Sequence, residues 1–93
     1  MQVTFQLEAQ LRLLSQRASV VVEANDAASL ALAMRQLAER HPELRDQLLD
    51  DGGHVRRSLL IVVDDAPVHA ASADGYTLSP GATVVLLPPI SGG

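Results

Sequence analysis

The sequence predicts an α+β fold in which a mixed sheet of four to five strands packs on one main helix. Three observations lead there. Short alternating or β-branched apolar runs occur toward both ends of the chain, and one long stretch between them carries helical periodicity. Hydrophobic residues (47%) also outnumber charged ones (19%), which favours a packed core over a disordered chain. The 93 residues suit one domain.

In VTFQLEA, Val3, Phe5 and Leu7 alternate with Thr4, Gln6 and Glu8, the period of a half-buried strand. LRLLSQRA breaks that period and reads as a connection. ASVVVEA (18–24) is a second strand, and its closeness to the first suggests an antiparallel hairpin. Asn25 or Asp26 then caps a helix on which Leu30, Met34, Leu37 and His41 share one stripe. Pro42 stops it and starts a shorter helix over PELRDQLLD. DDGGH (50–54) is a loop. SLLIVVDD (58–65) is almost continuously apolar, as for a strand buried on both faces at the sheet centre. DDAP turns the chain, Val68 opens a short edge strand, and ADGYTLSPG is rich in turn residues. ATVVLLP (82–88) is the last strand. The helical crossover can bring that strand beside the first, which is the β-grasp layout. Residues 1–87 form the domain and 88–93 an extended tail.

The tail, PPISGG, has its own chemistry. Pro88 and Pro89 lack an amide donor and hold φ near roughly −65°, so the chain leaves the sheet extended. Ile90 is an apolar handle, Ser91 is small, and Gly92 and Gly93 have no Cβ. A narrow active-site tunnel admits only such a thread. A terminal carboxylate can be adenylated and then take a nucleophile. A terminal Gly-Gly alone reads more simply as a loose end. Preceded by a strand and Pro-Pro, the functional reading prevails.

Composition removes other classes of function. There is no cysteine, hence no disulfide, thiolate nucleophile or thiolate metal site. All seven positive residues are arginine, so no side-chain amine exists for a Schiff base or an internal isopeptide. One Phe, one Tyr and no Trp leave few platforms for stacking on bases. A net charge of −4 without a basic stripe argues against nucleic acid and anionic membrane, and fits docking on a basic protein surface. MQVTFQLEAQ alternates like a strand and shows no signal peptide, and no apolar run approaches the roughly 18–20 residues of a membrane span. The cytoplasm is the expected location.

LLIVVDDAPV (59–68), YTLSPGATVVLLPP (76–89) and PPISGG (88–93) together resemble the ubiquitin-like sulfur carriers of the MoaD/ThiS family, and among them the molybdopterin synthase small subunits. The resemblance implies a non-catalytic carrier. Its terminal glycine is adenylated by a ubiquitin-activating-type adenylyltransferase, converted to a thiocarboxylate, and inserted into a partner such as the molybdopterin synthase large subunit. Carried over, Gly93 bears the sulfur and Gly92 admits it to the tunnel. Pro88, Pro89, Ile90 and Ser91 form the arm in the partner's groove, and Leu87 lies at the base of the contact. The carrier binds no cofactor, and ATP is used by the activating partner. Pro80-Gly81-Ala82 stands where relatives often have Asp-Gly-Asp, and Leu86-Leu87 where they often have aromatics. A carrier for thiamine or cysteine biosynthesis, or a ubiquitin-like protein modifier, is the alternative function.

The remaining candidates are bland. His41, His54 and His69 lack ligand spacing, so no metal is expected. Asp50-Asp51 and Asp64-Asp65 read as solvated turn acids. Gly52-Gly53 lacks the lysine and helix of a phosphate loop. Arg56-Arg57 marks a strand start, and Ser58 has no histidine arrangement around it.

Overall fold

Strand β1 (Gln2–Leu7) forms an antiparallel hairpin with β2 (Ser19–Glu23), matching Phe5 to Val20 and Val3 to Val22. The computed structural model describes residues 1–89. Between the two strands lies α1 (Gln10–Ser15), and after them come α2 (Leu30–Arg40), a 3-10 turn (Pro42–Leu44) and α3 (Arg45–Leu48). Strands β3 (Leu60–Val63) and β4 (Ala66–Val68), a 3-10 stretch (Ala70–Gly75) and β5 (Thr83–Leu87) complete the order. The sheet runs β2-β1-β5-β3-β4. Strand β5 pairs parallel with β1 and antiparallel with β3. This is the β-grasp arrangement expected from the pattern.

One face of the sheet is closed by α2. Leu30, Met34 and Leu37 are buried, as are Val3, Phe5, Leu7, Val22, Ile61, Val63, Val84 and Leu86 on the strands. Phe5, the only Phe, is fully buried in an otherwise aliphatic core. Alternation does the sorting: every second residue of β1, β3 and β5 points into the core. Among the described residues no helix is long and apolar enough to cross a membrane.

Four local expectations are corrected. The LRLLSQRA segment is not a plain connection: Gln10–Ser15 is helical because buried Leu11 anchors it, until Gln16 ends it at φ 58. The cap of α2 is Ser29, whose Oγ accepts from Leu32 N at 3.1 Å, and not Asn25 or Asp26. Those two sit in a preceding turn, with Ala28 N donating to Asn25 O, while Leu30 N is taken by Tyr76 O at 2.8 Å. Strand β3 is neither at the sheet centre nor buried on both faces. It lies next to the edge, and Leu60 is 62% exposed, because no second helical layer covers the other side. The edge strand β4 starts two residues before Val68, and Pro67 fits it because an edge needs no second ladder of amide donors. Helix α2 does stop before Pro42, with His41 extended at φ −129 and ψ 76.

The β3–β4 hairpin turns on Asp64 and Asp65, both left-handed at φ 47 and φ 70. Such a turn favours glycine at its second position. Asp64 keeps its place by accepting Thr83 N on Oδ1 at 2.9 Å, whereas Asp65 makes no such bond. Asp65→Gly is therefore expected to raise unfolding stability by about 0.5–1 kcal/mol in a urea titration. A loss of stability would contradict the strain read here.

Candidate functional site

Parallel pairing of β1 and β5 makes both strands leave the sheet at the same end. Leu7 lies opposite Leu86, and Glu8 N donates to Leu86 O at 3.2 Å. Strand β3 enters at that end, with Leu60 opposite Leu87. Three chain segments therefore meet where β5 gives way to the tail. Ala9, at φ 51 and ψ −124, turns the first of them sharply into α1.

Of the residues expected to act, Leu87 lies on the open face of the sheet, 37% exposed. Pro88 is buried within the domain and Pro89 is exposed. Ile90, Ser91, Gly92 and Gly93 lie outside the described residues. Alternation places Val85 and Thr83 on the same face as Leu87, and the registers bring Val62 and Leu60 beside them. A shallow depression of about 260 Å³ is lined there by Leu60, Val62, Pro67 and Leu87, with Arg57 and His69 at its rim. Leu60 and Val62 were missed as surface residues because an unbroken apolar run hides which side is covered. Leu13 (76% exposed) and Leu14 (47%) on α1 were missed too, since a connection gives no expectation of facing.

Arg12 lies on α1, Arg17 follows it, and Arg57 lies just ahead of β3, all at the end where β5 leaves. Glu23, Asp26, Asp64 and Asp65 lie at the opposite end, where the N-terminal ammonium donates to Glu23 Oε1 at 3.0 Å. Asp64 and Asp65 are thus remote from the tail, whereas Asp50 lines a cavity together with Arg57 and Asp74.

The paired carboxylates serve turns. Asp50 Oδ1 accepts from Gly52 N at 2.9 Å and His54 N at 3.0 Å. The His54 amide above all holds the Asp50 carboxyl below its ordinary range. His41 is half-buried, with Nδ1 at 3.3 Å from Glu43 Oε2, while His54 and His69 are exposed. Among the described residues no three ligand-type side chains converge on a metal site.

Residues 5–93 match the model of the ThiS family. No curated protein sequence matches the chain. The fold is similar to that of SAMP1 from Haloferax volcanii, with a TM-score of 0.88 and 24% identity over 100% of both chains. It is similar to a chain of the Amycolatopsis orientalis BexX/CysO complex, with a TM-score of 0.77 and 22% identity over 98% of this chain and 99% of that one. A Pyrococcus furiosus protein described as a molybdopterin converting factor, subunit 1, aligns with a TM-score of 0.73 and 18% identity over 96% and 98% of the two chains. At these identities the likeness establishes the fold.

Neighbouring positions on β3 test the facing of the sheet. Leu60→Ser should leave stability within about 0.5 kcal/mol of the unaltered chain. Ile61→Ala, one residue on and buried, should cost about 2–5 kcal/mol. Equal losses in urea unfolding would mean that the open face is covered.

Proposed function

The chain belongs to the ThiS family, and from that premise we propose that it is a ubiquitin-like sulfur carrier whose Gly93 carboxylate becomes a thiocarboxylate that donates sulfur in molybdopterin synthesis. The observation that carries the reading is where PPISGG is attached. It continues β5, the one strand of the five held by partners on both sides that also leaves beside the apolar pair Leu60 and Leu87. A rigid base and a thin end suit delivery of a reactive group into another protein.

On this reading an adenylyltransferase of the ubiquitin-activating type supplies ATP, and the carrier itself binds no cofactor. A Gly93 carboxylate oxygen attacks the α-phosphorus and pyrophosphate leaves. Hydrosulfide then attacks the acyl carbon, displaces AMP and loses its proton, leaving the thiocarboxylate. No side chain of the carrier enters these steps, in keeping with a sequence devoid of Cys and Lys. Buried Pro88 fixes the root of the tail. Pro89, Ile90 and Ser91 lie along the partner's groove, and Gly92 passes the tunnel. The stiff proline pair lowers the ordering entropy lost on docking. The molybdopterin synthase large subunit contributes the catalytic site, and the pair works in the cytoplasm.

A protein modifier joined to target lysines, or a carrier for thiamine or cysteine synthesis, would use the same tail. SAMP1, a small archaeal modifier protein, and CysO share this fold alike. Intact mass after incubation with ATP, a sulfur source and the adenylyltransferase separates them. The carrier gains the difference between one sulfur and one oxygen, and deletion of Gly93 abolishes the gain. Gly92→Val is expected to block it with unfolding stability unchanged. Lysine conjugates in cell extract, without any thiocarboxylate, would replace the carrier reading by the modifier one.

A further inference from the structure

The open sheet has two edges, and the chain treats them differently. Strand β4, at one edge, has three residues with Pro67 at its middle, opposite Val62. The hairpin closes on Val63 and Ala66, so alternation turns the backbone of Pro67 away from β3, where proline has no N–H to offer. Strand β2, at the other edge, has five residues in unbroken register with β1, three consecutive valines, no proline and no bulge. Among the described residues no strand or bridge pairs with its outer side. One edge is blunted and the other is left able to pair.

The register shows which groups of β2 are free. Ala24 N donates to Met1 O, and Leu7 N donates to Ala18 O, each at 2.8 Å. Alternation between these two bonds directs the N–H and C=O of Val20 and Val22 toward β1, and those of Ser19, Val21 and Glu23 outward. A two-fold axis through Val21 sets Val21 against Val21 of a second copy and Ser19 against its Glu23. Every pair then joins outward-facing residues, and each exchanges both backbone hydrogen bonds. No other two-fold register matches all three outward residues with one another.

Charge selects a second copy from among the strands that an open edge could take. Glu23 and Asp26 lie at one end of β2, and Arg17 precedes the other. The ammonium of Met1 lies 3.0 Å from Glu23 Oε1 and 3.5 Å from Asp26 Oδ1, so two carboxylates share one positive charge. Among the described residues Arg17 forms no ion pair; the pairs that form use Met1, Arg35, His41 and His54. In the two-fold register Glu23 is diagonal to Arg17 of the second copy, within reach of a long side chain, and the contact occurs twice. Val21, 52% exposed, covers its own counterpart at the axis.

We propose that the β2 edge is a self-association surface, on which two copies of this chain pair antiparallel about Val21 and join their sheets into one. The axis is normal to the sheet, so both α2 helices stay on one side and the two tails leave from opposite ends. Pairing therefore does not set one tail against the other. The inference does not depend on what the tail carries.

The test is sedimentation equilibrium of the full chain together with amide exchange by NMR. An interface this small holds weakly, with Kd about 0.1 mM. Between about 10 μM and 1 mM the weight-average mass should rise from near one copy toward two. Over that range exchange of the Ser19, Val21 and Glu23 amides should slow roughly three- to fivefold, while Val20 and Val22, already bonded to β1, stay unchanged. Val21→Pro transfers to β2 the device that β4 carries and should be monomeric throughout, its missing N–H being one that β1 does not use. Val21→Lys, which sets two like charges together at the axis, should do the same and keeps the test readable if the proline variant fails to fold. Arg17→Glu should raise Kd roughly 10-fold at low salt, and less at high salt. A chain that stays monomeric at the highest concentration leaves this edge to some other strand and overturns the proposal. So does a dimer that survives both changes at Val21.

Discussion

The parallel pairing of β1 with β5 is the constraint on which the rest of the molecule depends. These strands lie at opposite ends of the sequence, and parallel neighbours cannot be joined by a tight turn. Everything between them must travel across the sheet and back, and α2 occupies that crossover. Once Phe5 lies opposite Val84 and Leu7 opposite Leu86, both strands expire together. The segment after β1, the segment before β3 and the root of the tail are then neighbours. Arg12, Leu60 and Pro88, remote in sequence, come to one end of the domain through topology.

A single helical layer explains the second feature of the site. Helix α2 covers one side of the sheet, and nothing among the described residues covers the other. Strands that are apolar on both sides consequently expose half of what they carry. Val62, Val85, Leu60 and Leu87 form a band of aliphatic side chains too small for an aromatic-style hot spot but contiguous with the tail. Val21, on the far side of β1, is 52% exposed and separated from that band by Thr4 and Gln6. The apolar part of the open face is thus concentrated on the half that feeds the tail.

Elements whose signal is periodic were legible from sequence, and elements decided by distant partners were not. The β1 alternation, the α2 stripe and the stop at Pro42 are local facts about side-chain spacing and backbone freedom. Ser29 as the cap was not legible, because Asn25 and Asp26 are as good chemically. What selects Ser29 is the tie of Leu30 N to Tyr76 O, from a segment over forty residues on. The facing of LLIVV was hidden for a related reason: a run apolar throughout fits either one or two covering layers, and only the count of helices decides. Helix α1 is short enough that a single buried residue, Leu11, determines it. Of the site, the tail's composition was legible and its surroundings were not, since Leu13, Leu60 and Arg57 acquire meaning only when the strands are ordered.

Net charge misleads for the same reason. A total of −4 suggests a basic partner, yet Glu23, Asp26, Asp64 and Asp65 lie at the opposite end of the strands, about 15–20 Å away, from Arg12 and Arg17, while Asp50 and Asp74 share a cavity with Arg57. The Debye length at physiological salt is about 8 Å, so a partner at one end scarcely senses charge at the other. What it meets is local.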